Sequence, residues 1–131
     1  MKIKTGASCI CGLSTVYVNC CGRYLDMGQV PENAEELMRS RYSAYTLCRE
    51  DYLLETWHPE TRPLSLELTS RQKWLNLSVK QHKQLSPKLA LVEFIARYKI
   101  AGRAYRLHEI SRFVFEKERW FYVDGDFVKK P

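Results

Sequence analysis

The second half of the chain alternates apolar and polar residues with a period of two, which is typical of strands with one buried face. The alternation begins after Trp74, where Leu75, Leu77 and Val79 are separated by polar residues. Three later runs are rich in β-branched and aromatic residues. They cover residues 88–99, 104–116 and 119–124, with short turn segments at 84–87, 100–103 and 116–119. The pattern predicts four consecutive antiparallel strands.

The first half of the chain has the longer period of a helix. Asn33 precedes Glu36 by three residues, a pairing that caps a helix N-terminus through reciprocal side-chain hydrogen bonds. A helix is therefore predicted over 34–48, with one apolar side. Its apolar stripe comprises Ala34, Leu37, Met38, Tyr42, Tyr45 and Cys48. We expect Cys48 to behave as a small buried hydrophobe in the core.

A second helix is predicted over 50–57. Glu50 and Asp51 place negative charge at its N-terminus, where the helix dipole favours it, and Pro59 prevents continuation. The residues expected to face inward are Leu53, Leu54 and Trp57. A further helical turn is predicted over 64–70. Helices followed by a meander of strands predict an α+β fold, in which a curved antiparallel sheet packs around the helices.

Length and composition indicate one ordinary globular core. The 131 residues are 45% hydrophobic and 27% charged, which fits a single domain with a small appendage. No apolar run is long enough to span a bilayer, and the basic residues at 1–6 precede no apolar stretch of the kind that a secretory signal needs. We therefore expect a cytoplasmic protein that does not enter membranes.

The net charge of +6 raises the question of nucleic-acid binding, because a basic surface attracts phosphate. The lysines and arginines are scattered, however, and carboxylates lie between many of them. Four thiolates around one divalent ion would also remove about two units of the positive charge. The sequence therefore favours a solvated basic surface over a dedicated nucleic-acid groove.

Four of the five cysteines lie in one glycine-containing stretch. Cys9 and Cys11 are followed by the adjacent Cys20 and Cys21, and two pairs of thiolates can supply the tetrahedral sulfur shell that zinc prefers. Such a shell has no open position for water, so the zinc ion would be structural. In the alternative, Cys20 and Cys21 form a strained vicinal disulfide or exchange disulfides with the first pair as a redox switch. A reducing cytoplasm favours the metal.

The cysteine pattern and several later segments together resemble a known family. Cys9-x-Cys11-Gly12 followed by Cys20-Cys21-Gly22 is similar to the SEC-C motif, a small zinc-binding module. The continuation resembles the YchJ-type family of bacterial proteins, in the same order along nearly the whole chain. The matching segments are 37–45, 51–53, 56–59, 94–98, 109–113 and 120–125.

This resemblance implies a chain in two parts. A SEC-C-like zinc-binding segment occupies 1–24, and an NTF2-like α+β domain, a cone of N-terminal helices on a curved antiparallel sheet, occupies 25–131. The helix-then-strand order predicted from the periodicity agrees with that fold. Because the first segment is too short to have its own hydrophobic core, we predict that metal removal melts it and leaves the strand domain folded.

The inside of such a cone is the natural place for a small ligand. The candidate residues are polar or aromatic groups near the helix ends and on the last two strands. They are Tyr45, Trp57, His58, Glu109, Ser111, Arg112, Trp120 and Tyr122. Strand alternation puts Glu109 and Ser111 on one face and Arg112 on the other, so these candidates cannot all line one cavity. A glutamate and a histidine can form an acid–base pair, although a helix-terminating histidine and core aromatic residues explain the same positions structurally.

Two roles remain open at the level of sequence. In the first, the protein is an adaptor whose SEC-C-like segment presents a small basic surface, with Arg23, Lys2 and Lys4, to a protein partner. In the second, it is a small-molecule-binding protein or an enzyme that uses the cone. A deep cavity containing Glu109 or His58 favours the second role, and a cone filled by tryptophans favours the first. The sequence does not decide whether the protein is an enzyme or whether its sheet pairs into a homodimer.

Overall fold

The computed structural model describes residues 8–128 and shows helices followed by strands. A short 3-10 turn at Tyr17–Asn19 precedes three α-helices and four β-strands. The helices are α1 Gly22–Leu25, α2 Ala34–Thr46 and α3 Glu50–Glu55, and the strands are β1 Gln72–Ser86, β2 Leu89–Ile100, β3 Arg103–Glu116 and β4 Arg119–Phe127. Lys2 and Lys4, which belong to the predicted basic surface, lie outside the described residues. The α+β fold class is confirmed.

The four strands form one antiparallel sheet in the order β1-β2-β3-β4, as the alternation predicts. The first turn falls at 87–88 rather than within 84–87, because Ser86 still pairs with Leu89. Register shifts in β1, and one between Arg112 and Phe113 in β3, interrupt the regular pairing. Such bulges increase strand twist and bend a sheet, which allows it to wrap around a helix.

The predicted cap at the start of α2 is confirmed. The Glu36 amide donates to Asn33 Oδ1 over 2.8 Å, and Asn33 Nδ2 donates to Glu36 Oε2 over 2.9 Å. Asn33 therefore satisfies the Glu36 backbone amide, which the first helical turn leaves without a partner. Glu36 in turn accepts a hydrogen bond from the Asn33 side chain.

The prediction that Cys48 is part of the core is wrong. The helix ends at Thr46, and Cys48 adopts a left-handed conformation with φ of 55°. The Arg49 amide donates to the Ala44 carbonyl over 2.8 Å and the Cys48 amide to the Tyr45 carbonyl, which is the Schellman pattern of a helix C-terminus. Because the chain reverses there, the Cys48 thiol leaves the apolar stripe and is exposed.

The helical turn predicted over 64–70 is also wrong, since that segment has no helix. The Leu66 amide donates to the Glu50 carboxylate over 2.6 Å, so a side chain of α3 replaces the helical partner. Leu66 and Leu68 pack against the buried residues near α3 while Glu67 between them is exposed. This period of two belongs to an extended segment.

The core has two clusters, and α2 contributes to both. The first lies between α2 and the sheet and includes Leu37, Val92 and Phe113. The second contains the four clustered cysteines with Tyr24, Leu25, Ala44, Tyr52 and Leu53. The cysteine segment thus shares buried surface with α2 and α3. The division of the chain at residue 24 stays a prediction.

None of the helices within residues 8–128 is long and apolar enough to cross a bilayer.

Candidate metal centre and ligand cavity

Cys9 and Cys11 lie on a tight turn at the start of the described chain. The Cys9 amide donates to the Thr15 carbonyl over 2.8 Å, and the Gly12 amide donates back to the Cys9 carbonyl over 3.1 Å. Gly12 has φ of 99°, a conformation that favours glycine. The turn therefore fixes the first pair of thiols close together.

Cys20 and Cys21 reach the same place at the start of α1. Cys21 is the N-cap residue of that helix, and its carbonyl accepts a hydrogen bond from the Tyr24 amide over 3.0 Å. A Cβ at Gly22 would lie only 2.8 Å from the Tyr17 carbonyl oxygen. A residue without a side chain at position 22 thus lets the helix begin directly after the second pair.

The four sulfur atoms converge in the interior. All four Sγ atoms lie within 4.8 Å of one another, and Cys11 Sγ is 3.7 Å from Cys20 Sγ. Every one of these side chains is buried, with at most 5% of its residue exposed. All are free thiols, and 3.7 Å far exceeds the roughly 2.05 Å of a disulfide bond. The geometry is that of a metal site, and the vicinal or exchanged disulfides are not formed.

The cluster cannot carry four negative charges by itself. Hydrogen bonds from Cys11 and Cys21 hold the pKa of Cys9 well below its usual range, so one thiolate forms readily. Burial, together with the charge of Cys11, raises the pKa of Cys20 to about 12. Hydrogen bonding to Cys11 and burial raise the pKa of Cys21 even more. A divalent cation among the sulfurs would remove this mutual repulsion, which is why the donor set fits a soft metal ion.

Ser43 of α2 supplies a hydrogen-bond donor beside the cluster. Its Oγ is buried and has no hydrogen-bond partner among residues 8–128. It lies close enough to Cys21 to lower the pKa of that thiol. A metal-bound thiolate at Cys21 would give this hydroxyl the acceptor that it lacks, as ligand-supporting hydrogen bonds do in metal sites.

Two arginines hold the backbone of both cysteine pairs. Arg39 of α2 donates through Nη1 to the Cys11 carbonyl over 2.9 Å, and Arg23 donates through Nε to the Cys20 carbonyl over 3.0 Å. The Arg39 contact joins the cysteine segment to the same helix that packs on the sheet. The position of the cluster is therefore set by α2 as well as by its own turns.

A cavity of about 370 Å³ lies between α2 and the sheet. Its apolar wall includes Met38, Trp74, Phe94, Leu107 and Phe113. Exposed residues also line it, namely Glu67, Thr69 and Phe127, so the cavity reaches solvent. The volume is at the lower end of the range of small-molecule pockets, which is about 300–1,000 Å³.

Glu109 of β3 places a carboxylate in this cavity. The residue is 8% exposed, and its Oε2 accepts hydrogen bonds from Ser111 Oγ over 2.5 Å and from the Tyr122 hydroxyl over 3.1 Å. Burial, followed by the charge of Glu109, raises the pKa of Tyr122, so that hydroxyl keeps its proton and remains a donor. The buried carboxylate is thus held by two hydroxyl groups.

The structure separates the eight candidate residues into two groups. Those that line the cavity are Tyr45, Trp57, Glu109, Ser111 and Tyr122. His58, Arg112 and Trp120 do not line it. His58 Nε2 is 3.1 Å from Glu116, Arg112 forms ion pairs with Asp124 and Asp126, and Trp120 packs against Phe115 in the core. The alternation predicted for β3, with Glu109 and Ser111 on the face opposite Arg112, agrees with this separation.

Sequence reasoning missed Arg41, which also lines the cavity. Arg41 is 5% exposed, and its Nη1 donates to the Leu53 carbonyl and to Thr56 Oγ1, each over 2.8 Å. Burial lowers the pKa of its guanidinium group. A signal was present, because Arg41 follows Leu37 by four residues and so falls within the apolar stripe of α2. A charged residue in such a stripe indicates a buried polar site.

A second depression, of about 570 Å³, lies elsewhere on the sheet and is lined by residues such as Leu75, Arg97 and Tyr105. Most of its lining residues are exposed, and His108 there is already 2.7 Å from Glu93. It lacks the buried polar groups that orient a ligand. The cavity beside α2 is therefore the candidate ligand site.

Gly125 of β4 lies directly against the Glu109 side chain, and we expect Gly125→Ala to displace that carboxylate. A Cβ at position 125 would come within 2.7 Å of Glu109 Cδ. The overpacking should cost about 1–3 kcal/mol of unfolding free energy, measured by urea denaturation.

The control for this contact is a double-mutant cycle. In a Glu109→Ala background the Gly125→Ala change should cost less than about 0.5 kcal/mol, because the clashing atoms are gone. An equal cost in both backgrounds would contradict the contact.

The sequence of this chain is similar to those of known bacterial proteins. Residues 33–125 match the family model described as the YchJ middle, NTF2-like domain. The chain is 54% identical over 124 residues to a UPF0225 protein of Bordetella parapertussis, covering 92% of each chain. It is 51% identical to a UPF0225 protein of Cupriavidus pinatubonensis, covering 95% of this chain and 91% of the relative.

Two solved structures share the fold. A SEC-C motif containing protein from Rhodopseudomonas palustris superposes with a TM-score of 0.83 at 34% identity, covering 93% of this chain and 99% of that one. A sec-c motif containing protein from Psychrobacter arcticus superposes with a TM-score of 0.75 at 29% identity, covering 95% and 84%.

Proposed function

Because the chain belongs to the YchJ family and shares the fold of solved SEC-C motif containing proteins, we propose that it binds a small molecule in its cone and a structural zinc ion at its cysteines. The observation that carries the proposal is the cavity of about 370 Å³ that contains the buried Glu109 carboxylate. A buried charge held by hydroxyls beside open space is typical of a binding site, whereas a cone used only as a scaffold fills its interior with apolar side chains.

Zinc is the ion that best fits the cysteine cluster. Zinc–sulfur bonds of about 2.3 Å in a tetrahedron separate neighbouring sulfurs by about 3.8 Å, and Cys11 Sγ lies 3.7 Å from Cys20 Sγ. Four buried sulfurs leave no position for a reacting water. The ion would cross-link the turn at Cys9 and Cys11 to the start of α1, which gives it a structural role.

The aromatic residues of the cone leave its interior open. Trp57 and Trp74 form walls of the cavity, whereas Trp120 packs into the core against Phe115. A cone filled by tryptophans would favour the adaptor role, whereas an open cavity containing Glu109 favours the ligand-binding role.

Binding is favoured over catalysis. Among the described residues that line the cavity there is no histidine, lysine or cysteine to act as a proton-transfer partner for Glu109. The nearby His58 is 3.1 Å from Glu116 instead.

A cavity-filling substitution tests the proposal. Leu107→Trp adds bulk to a half-buried residue of the cavity wall and should weaken binding of aromatic fragments at least tenfold, since the fragment and the new indole compete for the same space. Binding is measured by titrating fragments into labelled protein and following amide chemical shifts.

The matched control is Leu89→Trp, which changes the same residue type at an exposed position outside the cavity. It should bind fragments as the wild type does. Fragment shifts that persist in Leu107→Trp, or that map away from the cavity, would refute the ligand-binding role.

The adaptor role through the cysteine segment stays a prediction from the resemblance to the SEC-C motif. The same holds for a protein partner, for a homodimer, for the absence of nucleic-acid and membrane binding, and for a cytoplasmic location.

A further inference from the structure

Arg41 is a buried cation at the wall of the cavity whose position is fixed by the protein. Its guanidinium carbon lies 4.5 Å from the ring centre of Tyr122 and 5.1 Å from that of Trp57. Its Nη1 atom donates to the Leu53 carbonyl and to Thr56 Oγ1. Two rings and two acceptors therefore hold the planar group in one orientation, as a preorganised binding group requires.

Within the part of the chain that the structure describes, Arg41 forms no direct ion pair: burial lowers the pKa of its guanidinium group, and the charge of Glu109 only partly opposes that effect. Among residues 8–128, no carboxylate oxygen lies within 4.0 Å of its guanidinium nitrogens. A buried unpaired charge is costly, so such groups are normally paired with an anion. The well-formed hydrogen bonds of Arg41 within this part of the chain, to Leu53 and Thr56, use Nη1, and it also lies close enough to the Tyr45 hydroxyl to act on the pKa of that group, whereas a guanidinium has five N–H donors. The remaining donors are suited to a carboxylate.

Glu109 offers a complementary acceptor in the same cavity. Both hydroxyl groups that bind it, those of Ser111 and Tyr122, donate to Oε2. Its Oε1 accepts no hydrogen bond from residues 8–128. A ligand hydroxyl or amino group is the partner that this oxygen can accept from.

The rest of the cavity wall is apolar and aromatic, which favours a flat apolar ligand. Trp74, Phe94 and Phe113 line the cavity together with the two charged groups. Glu67 also lines the cavity, but it is exposed, where water and salt screen its charge. A volume of about 370 Å³ suits a ligand with one ring rather than a large cofactor.

We propose that the cavity binds a small aromatic carboxylic acid that carries a hydroxyl or amino group, with its carboxylate on Arg41 and its hydrogen-bond donor on Glu109. This inference rests on the proposed ligand-binding function and specifies the class of ligand.

Three probes of nearly equal size test separately whether the cavity binds a ligand and which class of ligand it prefers. They are 3-phenylpropan-1-ol, 3-phenylpropanoate and 3-phenyllactate, titrated into the intact protein by calorimetry and by amide chemical shifts. We expect 3-phenylpropanoate to bind at least tenfold more tightly than the alcohol, and 3-phenyllactate more tightly again. In Glu109→Gln the gain from the added hydroxyl should shrink, while the preference for the carboxylate remains.

Arg41→Gln should abolish the preference for 3-phenylpropanoate over the alcohol, and Arg112→Gln is the matched control. Arg112 is an arginine of β3 that does not line the cavity, and its loss should change neither affinity. Arg41→Gln removes a buried guanidinium group, so this variant can fail to fold. The Nε–H resonance of Arg41 in the wild-type protein therefore provides a second readout. It should shift with 3-phenylpropanoate and not with the alcohol.

The outcomes are distinguishable. Equal affinity for the alcohol and the acid, or an Arg41 resonance that does not respond to the acid, overturns the assignment of Arg41 while the cavity remains a ligand site. Failure of all three probes to bind contradicts the proposed function itself.

Discussion

Cys11→Ser will abolish stoichiometric metal binding and unfold the cysteine segment. Cys11 is fully buried, and its sulfur is 3.7 Å from that of Cys20, so a serine hydroxyl removes one ligand from a closed set of four. Apparent zinc-binding energies of about 10–16 kcal/mol in small peptides match or exceed the whole stability of a typical domain, which is about 5–15 kcal/mol. The loss should be visible as zero metal by elemental analysis.

The unfolding should be confined to the cysteine segment, perturb α2 and α3, and leave the sheet folded. The four cysteines share a buried cluster with Tyr24, Ala44 and Leu53, so their release exposes surface of α2 and α3. The four strands have their own cluster with the opposite side of α2, which includes Leu37 and Phe113. We expect amide signals of residues 8–25 to collapse, those of α2 and α3 to shift, and those of the strands to persist. Chelation of the wild type should give the same pattern.

Cys48→Ser is the matched control, because Cys48 is the one exposed cysteine among the described residues and lies outside the cluster. It should retain one metal ion per chain and wild-type stability. Loss of the entire sheet signal on chelation would contradict the independence of the strand domain, and full structure without metal would contradict the metal site.

Phe113→Ala should cost about 3–5 kcal/mol of unfolding free energy, the second largest effect that we expect. Phe113 is 1% exposed, packs in the core between α2 and the sheet, and stacks edge-on against Tyr122 with ring centres 5.7 Å apart. Removing the ring loses its burial and leaves a cavity, and large-to-small changes at such positions have costs of this size. Urea denaturation at equilibrium measures the change.

Phe127→Ala is the matched control for Phe113→Ala. Both residues line the ligand cavity, but Phe127 is 68% exposed, so its loss should change stability by no more than about 0.5 kcal/mol. Similar losses for the two variants would contradict burial as the cause of the Phe113 effect.

The strands were predictable because their signals are local. Alternation along β3 put Glu109 and Ser111 on one face and Arg112 on the other, and the structure agrees, since the first two are buried and Arg112 is not. The cap at Asn33 and Glu36 was equally readable, since the two residues that exchange hydrogen bonds are three positions apart. In each case a short stretch contains every group that decides the outcome.

The two helix predictions that failed were decided by hydrogen bonds that apolar spacing does not reveal. Apolar spacing extended α2 to Cys48, but a Schellman C-terminus with a left-handed Cys48 ends it at Thr46. A helical turn was also predicted over 64–70, but the Leu66 amide pairs with Glu50, sixteen residues earlier in the chain. Competing partners of this kind leave no periodic signal.

The sequence by itself determined the candidate metal cluster, because four thiols within thirteen residues match the tetrahedral sulfur shell that zinc prefers. It also determined the order of helices and strands, although in β1 the register shift between Trp74 and Asn76 leaves Leu75 exposed while Leu77 is buried. Only the tertiary structure decided that the cysteines pack into the same core as α2 and α3, and that Arg41 and Glu109 meet in one open cavity while His58, Arg112 and Trp120 stay outside it. The physical reason is that burial and charge pairing depend on surfaces brought together from distant parts of the chain, whereas periodicity and ligand spacing are properties of neighbours.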